Sequence, residues 1–144
     1  MTDELAWLGS GPHQLLAHIR ATVDLERALA DGGFDPALVA TASVDSVLGA
    51  RVVVLGEPAS IALAEPVTEG PLAATLARAG EGVVGRYVEA PADLATIREQ
   101  ATAAGVRVGG AGDGPFGREV LVIRATRTAP LIVLVEARTV PSRG

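Results

Sequence analysis

Two short stretches decide the fold: Thr-Val-Asp-Leu-Glu-Arg-Ala-Leu at residues 22–29 and Pro-Ala-Asp-Leu-Ala-Thr-Ile-Arg at residues 91–98. In both, an aspartate side chain is placed to cap the first free N–H groups of a helix, and the following leucine begins its apolar face. From Asp24 to Ile61 in the predicted last strand of the first copy is 37 residues, and from Asp93 to Leu131 in that of the second is 38. This near-equal spacing predicts that one folding unit occurs twice.

Turn-forming residues and alternating apolar residues around these helices predict the same order in each copy, a strand, a helix and three strands. The first copy has predicted strands at 13–20, 38–43, 51–55 and 60–64. The second has them at 83–89, 106–108, 119–125 and 131–136, with the glycine-rich residues 109–117 as a hairpin-like connection. Pro71 and Gly80 bound a helix between the copies. We therefore expect one α+β domain, 1–144, built from a module at 13–65, a linker helix at 66–82 and a module at 83–137.

The composition narrows the possible chemistry. Of the 144 residues 49% are hydrophobic, the net charge of −5 is spread along the chain, and Cys, Lys and Asn do not occur. Disulfides, thiolate nucleophiles, Schiff-base lysines and cysteine-rich zinc sites are therefore excluded. There is no basic cluster for nucleic acid, no long apolar run for a membrane and no basic leader. We expect a cytoplasmic protein that binds neither nucleic acid nor membrane.

Three segments carry a family resemblance in their order and spacing: Ile61-Ala62-Leu63-Ala64-Glu65-Pro66, Arg78-Ala79-Gly80-Glu81-Gly82 and Leu131-Ile132-Val133-Leu134-Val135-Glu136. Over residues 13–137 the chain resembles the vicinal oxygen chelate superfamily, and within it the methylmalonyl-CoA epimerases and glyoxalase-like proteins. The resemblance implies that the two βαβββ modules form a cup-shaped mixed sheet around one groove.

The resemblance also implies a divalent metal at the floor of the groove, held by side chains from the first and last strand of each copy, usually His, His and Glu or Gln. The corresponding positions here are Ala17 or His18, Ala62, Val84 or Gly85, and Val133. At most one of these side chains can donate to a metal, so we predict no metal and no cofactor.

A shifted register would leave a different set of metal ligands, His13, His18, Glu65 and Glu136, and would make the chain a metal-dependent enzyme like methylmalonyl-CoA epimerase. Strand alternation argues against it, because His13 and His18 are an odd number of residues apart and face opposite sides of a regular strand.

Alternation also predicts which side chains face the groove. In the first strand the apolar row Leu15, Ala17 and Ile19 suits packing under the helix, which leaves Leu16, His18 and Arg20 for the groove. An offset of 69 residues, the distance from Asp24 to Asp93, places Tyr87 opposite His18 and Gly85 opposite Leu16 across a pseudo-dyad. In the last strands, the predicted inward side chains are small and apolar, which predicts an open apolar cavity; they are Ala62, Ala64, Val133 and Val135.

These features favour a metal-independent isomerase, cyclase or lyase for an apolar, oxygen-bearing small molecule, with an acyl-CoA or a secondary metabolite as the expected class. His18 and Tyr87 are the predicted catalytic residues, and Arg86 is a predicted ligand-binding residue. Two other hypotheses stay open, a non-catalytic binder that sequesters a toxic compound or drug, and a scaffold without a pocket. The apolar stretches Val52–Leu55 and Leu131–Val135 predict a homodimer.

Overall fold

The structure, a computed structural model, describes residues 5–8, 13–56, 60–123 and 129–137. The first module consists of β1 (Gln14–Ala21), α1 (Leu25–Asp31), β2 (Ser43–Asp45), β3 (Ala50–Leu55) and β4 (Ser60–Pro66). Helix α2 (Pro71–Ala79) leads to the second module, which consists of β5 (Gly82–Glu89), α3 (Leu94–Ala104), β6 (Arg107–Val108), β7 (Gly112–Gly114), β8 (Gly117–Ile123) and β9 (Leu131–Val135).

The predicted helix ends are confirmed. Asp24 accepts a hydrogen bond from the Arg27 backbone N–H at 3.1 Å, and Asp93 accepts one from the Thr96 N–H at 2.9 Å. The backbone hydrogen bond lowers the pKa of Asp93, because the helix N-terminus stabilises its ionised form. Gly105 ends α3 with φ of 74°, a left-handed conformation that favours glycine.

One predicted element is wrong. Residues 38–42 form no strand, and β2 begins only at Ser43. Pro36–Thr41 is a 3₁₀ helix, because Asp35 caps the Ala37 N–H at 2.9 Å and Pro36 fixes the first turn. The connection 109–117 is hairpin-like, as predicted, and its residues 112–114 form the short strand β7, which pairs antiparallel with β8. The end of the strand predicted at 119–125 lies outside the described residues.

The strands form one curved mixed sheet in the order β2-β3-β4-β1-β5-β9-β8-β6, with β7 on the free side of β8. Within each module the first and last strands pair in parallel, β1 with β4 and β5 with β9, and the modules join through the antiparallel pair β1–β5. This arrangement confirms the predicted α+β fold of two modules; the second has the short strand β7 in addition to the predicted βαβββ order.

The two faces of the sheet differ in what covers them. On the outer face α1 packs on a cluster that contains Val53 and Leu63, and α3 packs on one that contains Ile132 and Leu134. The inner, concave face carries its own apolar core, to which β1, β4, β5, β8 and β9 all contribute. Leu48, Leu72 and Phe116 pack against that core, so the cup is filled with side chains.

Candidate functional site

The predicted facing of β1 is wrong for the residues from Ala17 to Arg20, whereas Leu16 packs against the inner core as predicted. Ala17, Ile19 and Ala21 lie in the inner core and are at most 1% exposed, whereas His18 and Arg20 are exposed on the other face. The prediction placed the apolar row under the helix because its side chains suit packing against a helix, which left the other row for the groove. Because the cup is filled with side chains, the inner face of β1 is buried, and the apolar row faces inward.

His18 and Tyr87 therefore do not face each other. The partner of His18 across β1–β5 is Arg86, and the partner of Tyr87 is Ala17. The pairing is irregular between Leu15 and Ala17, so a constant offset between the copies does not hold there. His18 and Tyr87 lie on opposite faces of the sheet, and the predicted joint catalysis by the two is excluded in this structure.

The small side chains of the last strands do point inward, toward the inner core. Ala62, Ala64, Val133 and Val135 are each 0% exposed and packed within it, so the expected open groove over them is absent. Leu16 is half-buried against the same core.

The residues at the family's metal positions do not fit a metal. Ala17, Ala62, Gly85 and Val133 carry no side-chain donor, and a divalent ion needs several charged or imidazole ligands to replace its hydration. The alternative ligand set does not assemble either. Glu65 accepts from Arg51 Nε at 2.5 Å, and Glu136 accepts from the Leu94 N–H at 3.0 Å. Within the described ranges no three His, Asp or Glu side chains are placed to hold a metal ion.

A buried polar network at one end of the inner face was missed. The Tyr87 hydroxyl donates to Asp45 Oδ2 at 2.6 Å, and the Leu48 N–H donates to Asp45 Oδ1 at 2.8 Å. Glu119 on β8 completes the network; it, Asp45 and Tyr87 are all 0% exposed. As a carboxylate, Glu119 finds no hydrogen-bond donor for either oxygen. A fully buried carboxylate without a hydrogen-bond donor is strongly unfavourable, so Glu119 is favoured in its protonated form at this site.

The protonation states follow from burial and proximity. Burial first, and then the neighbouring Asp45 carboxylate, raise the pKa of Glu119 to about 10. A protonated Glu119 can donate to Asp45, which two carboxylates cannot do for each other. Burial and the same Asp45 carboxylate also raise the pKa of Tyr87. Near neutral pH, Glu119 and Tyr87 are therefore both neutral donors around Asp45.

One sequence signal points to this network. Glu119 stands at the start of the otherwise apolar run Glu119-Val120-Leu121-Val122, where a single acidic residue is directed at the core. Asp45 gives no comparable signal, because it lies in a polar turn region beside Ser46 and reads as a turn-forming residue.

An accessible pocket of about 390 Å³ brings together three of the predicted site residues, His18, Gly85 and Arg86. Arg78 and Thr75 of α2 add polar groups to it. The apolar part of its lining is Ala79, Val83, Val84, Ala129 and Pro130. Two guanidinium groups and an imidazole line this pocket, and none of its described lining residues is acidic. We call it the arginine pocket.

Arg20 lies in a different pocket, of about 370 Å³, beside α1. Arg27 and Glu81 in that pocket form an ion pair at 2.5 Å, and Glu81 also accepts from the Thr22 hydroxyl and the Val23 N–H at 2.9 Å each. The Val23 hydrogen bond is the largest cause that lowers the pKa of Glu81. These contacts tie the start of β5 to α1 and give Glu81 a structural role.

The curved sheet of two paired modules is a glyoxalase-like fold, as the resemblance predicted. No family model matches the sequence, and no curated protein sequence matches it. The likeness is therefore one of structure.

Three solved structures illustrate it. Methylmalonyl-CoA epimerase from Mycobacterium tuberculosis superposes with a TM-score of 0.70 at 23% identity, over 88% of this chain and 89% of that one. A methylmalonyl-CoA epimerase in complex with methylmalonyl-CoA and NH4+ gives 0.67 at 22% identity, over 92% and 100%. A hypothetical protein from Bacillus halodurans gives 0.66 at 15% identity, over 92% and 100%. At such identities these matches establish the shared fold.

None of the helices in the described ranges has the length and apolar character needed to cross a membrane.

Proposed function

We propose that this glyoxalase-fold protein binds a small molecule that has an anionic oxygen group and an apolar portion, and that it does so in the arginine pocket without a metal. The convergence of His18, Arg78 and Arg86 on one accessible pocket is the observation that carries this proposal. Guanidinium groups bind carboxylates and phosphates through paired, charge-assisted hydrogen bonds.

The pocket has a suitable size and lining for such a ligand. Its volume of about 390 Å³ lies within the range of small-molecule sites, which are mostly apolar with a few placed polar groups. Val83 is 61% exposed at this pocket, so an apolar portion of a ligand would cover a side chain that otherwise faces water. Acyl-CoA compounds and carboxylic acids combine both features, and one of the structural neighbours was solved with methylmalonyl-CoA.

Substitution of the pocket's exposed arginine tests the binding. We expect Arg78→Gln to weaken binding of methylmalonyl-CoA about tenfold or more, because a charge-assisted hydrogen bond contributes about 1.5–3 kcal/mol. Isothermal titration calorimetry measures this, and native mass spectrometry of the purified protein shows whether a molecule of this class copurifies. Arg107→Gln, on an exposed strand away from the pocket, is the matched control. Equal affinities in both variants and the unchanged protein would contradict the proposed site.

A second candidate function is cofactor-free isomerisation, and the observation that favours it is the exposed His18 side chain in the arginine pocket. Imidazole is the side chain best suited to proton exchange near neutral pH. Tyr87 cannot assist it, since its hydroxyl is buried on the opposite face and donates to Asp45.

Deuterium incorporation separates the enzyme from the sequestering binder. If the protein is an isomerase, it will incorporate deuterium from D2O into methylmalonyl-CoA, and His18→Ala will reduce that rate by about 10²–10⁴-fold while affinity stays within about threefold. His13→Ala, at a position outside the pocket lining, should leave the rate unchanged. If the protein is only a binder, the unchanged protein will bind methylmalonyl-CoA with the same affinity but will incorporate no deuterium into it.

We propose that the protein needs no metal, because the side chains at the positions of the family's metal ligands offer no donor atoms. We expect a chelator to leave the midpoint of thermal unfolding and the ligand affinity unchanged, since Ala17, Ala62 and Val133 cannot hold an ion. Elemental analysis of untagged protein should find well under one equivalent of transition metal. A stoichiometric metal that survives dialysis would refute this part of the proposal.

Homodimer formation stays a prediction, but its sequence argument is weakened. Val52, Val53 and Leu55 are at most 9% exposed within one chain, and so are residues 132–135. Val54, at 40% exposed, and the half-buried Leu131 are the exceptions, so most side chains of the two stretches already pack within one chain. Sedimentation at micromolar concentration decides the oligomeric state.

A further inference from the structure

The two ends of the curved sheet meet along a narrow seam. Strand β2 is the terminal strand at one end and β7 flanks β8 at the other. The Ser46 N–H donates to the Asp113 carbonyl at 2.9 Å, and the Asp113 N–H donates to Ser46 Oγ at 3.0 Å. A Cβ on Gly112 would overlap Ser46 Oγ, so glycine is needed for this close approach. We call Ser46 and Gly112–Asp113 the seam.

The seam is weaker than the other junctions of the sheet. Strands β1 and β4 pair over five residues, and β5 and β9 also over five. Across the seam the described residues form one backbone-to-backbone hydrogen bond, assisted by the serine hydroxyl. Ser46 and Asp113 are both exposed, so water can replace these bonds. Segments held by few, solvent-exposed hydrogen bonds open at lower free energy than the core.

The buried carboxyl pair lies directly behind the seam. Asp45 precedes Ser46 in the chain, and a Cβ on Gly114 would overlap Glu119 Oε1 and lie 2.9 Å from Asp45 Oδ2. The groups that face Glu119 are Asp45 from β2, Tyr87 from β5 and Asp113 from β7. All three are acids, so none compensates a negative charge on Glu119. The closed seam therefore accommodates Glu119 only with its proton.

We propose that the seam is a gate, which opens locally without unfolding the protein, releases one proton from Glu119 and exposes the inner apolar face. Opening admits water to the Asp45 and Glu119 carboxyl groups, so Glu119 ionises there at its ordinary pKa. The open state holds one proton fewer than the closed state, so a rise in pH favours opening. The inner face then becomes accessible at Ala62, Ala64 and Val133, which the closed cup hides completely. The gate does not depend on the function proposed for the arginine pocket.

Native-state amide hydrogen exchange of the unmodified chain tests the gate. Two amides on the β2 side report on opening, and we call them the seam amides: Ser46 N–H bonds to Asp113 across the seam, and Leu48 N–H bonds to the Asp45 carboxyl behind it. The reference is the buried Ala90 amide, which bonds to Val135 at the end of the β5–β9 pair at 2.9 Å. We expect the seam amides to be less protected than the Ala90 amide. Their protection, corrected for intrinsic exchange, should fall about tenfold per unit between about pH 6 and pH 9, as release of one proton requires.

Glu119→Gln supplies the matched variant, because a glutamine amide fills the same space and donates to Asp45 at every pH. In this variant the protection of the seam amides should become independent of pH. Equal protection of the Ser46, Leu48 and Ala90 amides in the unmodified chain would show that the seam opens only on global unfolding, and would overturn the gate. An unchanged pH slope in Glu119→Gln would equally overturn the role of Glu119.

Discussion

Replacement of Glu119 by glutamine is expected to stabilise the protein at alkaline pH and to leave its stability nearly unchanged at about pH 4. The pKa of Glu119 is raised by burial and by Asp45 to about 10 in the folded protein, whereas its ordinary value is 4.5. Below the ordinary value both folded and unfolded chains hold the proton, and the stability of the protonated network is fully present. Between the two values only the folded chain holds it, so stability is lost as pH rises.

The expected size of this effect is large for a conservative substitution. Each pH unit within that window lowers the folding equilibrium constant of the unmodified protein by up to about tenfold. Glu119→Gln removes this dependence, so at about pH 8 the variant should be more stable by on the order of 3 kcal/mol. Urea denaturation at a series of pH values measures both slopes.

Glu99→Gln is the control for this prediction, because Glu99 is an exposed residue of α3. Its stability should stay within about 0.5 kcal/mol of the unmodified protein at each pH, as for most surface substitutions. If Glu119→Gln were no more stable than the unmodified chain at about pH 8, Glu119 would not be a protonated buried group.

Gly85→Ala is expected to destabilise the protein by about 3 kcal/mol, since overpacking without room to relax costs about 1–3 kcal/mol and sometimes more. A Cβ on Gly85 would overlap the carbonyl oxygen of Leu131 and lie 2.7 Å from the Leu131 Cβ. The carbonyl belongs to the backbone of β9, which pairs with β5 from Gly85 onward. It cannot rotate away as a side chain would, so the two strands must separate.

Gly110→Ala is the matched control, because no atom lies within 4 Å of a Cβ at Gly110 and its φ is not in the left-handed region. We expect it to change stability by less than about 0.5 kcal/mol, or to stabilise slightly by restricting the unfolded chain. Urea denaturation of both variants gives the comparison. A loss of less than about 1 kcal/mol in Gly85→Ala would mean that β5 and β9 can move apart at little cost.

The sequence by itself determined the helices and the duplication. Asp24, Asp93, Pro71 and Gly80 act on neighbouring N–H and C=O groups, so their effect is local and can be predicted from the sequence. The order of elements and their equal spacing then defined two βαβββ modules, which the sheet topology confirms. The strand predicted at 38–43 was the main local error. The apolar pattern there suits a strand, but the cap at Asp35 favours a 3₁₀ helix over the same residues.

Only part of the candidate site could be predicted from the sequence. His18, Gly85 and Arg86 were predicted as site residues, and the structure brings them to one pocket. Arg78 and Thr75 also line that pocket and were not predicted, because the packing of α2 against the sheet places them there. The facing of β1 could not be read from alternation alone. Ala17 and Ile19 suit either face when both faces bury apolar cores.

Only the tertiary structure decided whether the cup is open and which polar groups lie inside it. Asp45 and Glu119 are 74 positions apart, and they meet because the curvature of the whole sheet brings its two ends together at the seam. The curvature of a sheet results from small rotations between many neighbouring strands. It therefore cannot be predicted from the sequence pattern of any one strand. The pairing of a protonated Glu119 with Asp45 is its consequence, since the two acids become buried together once the sheet closes.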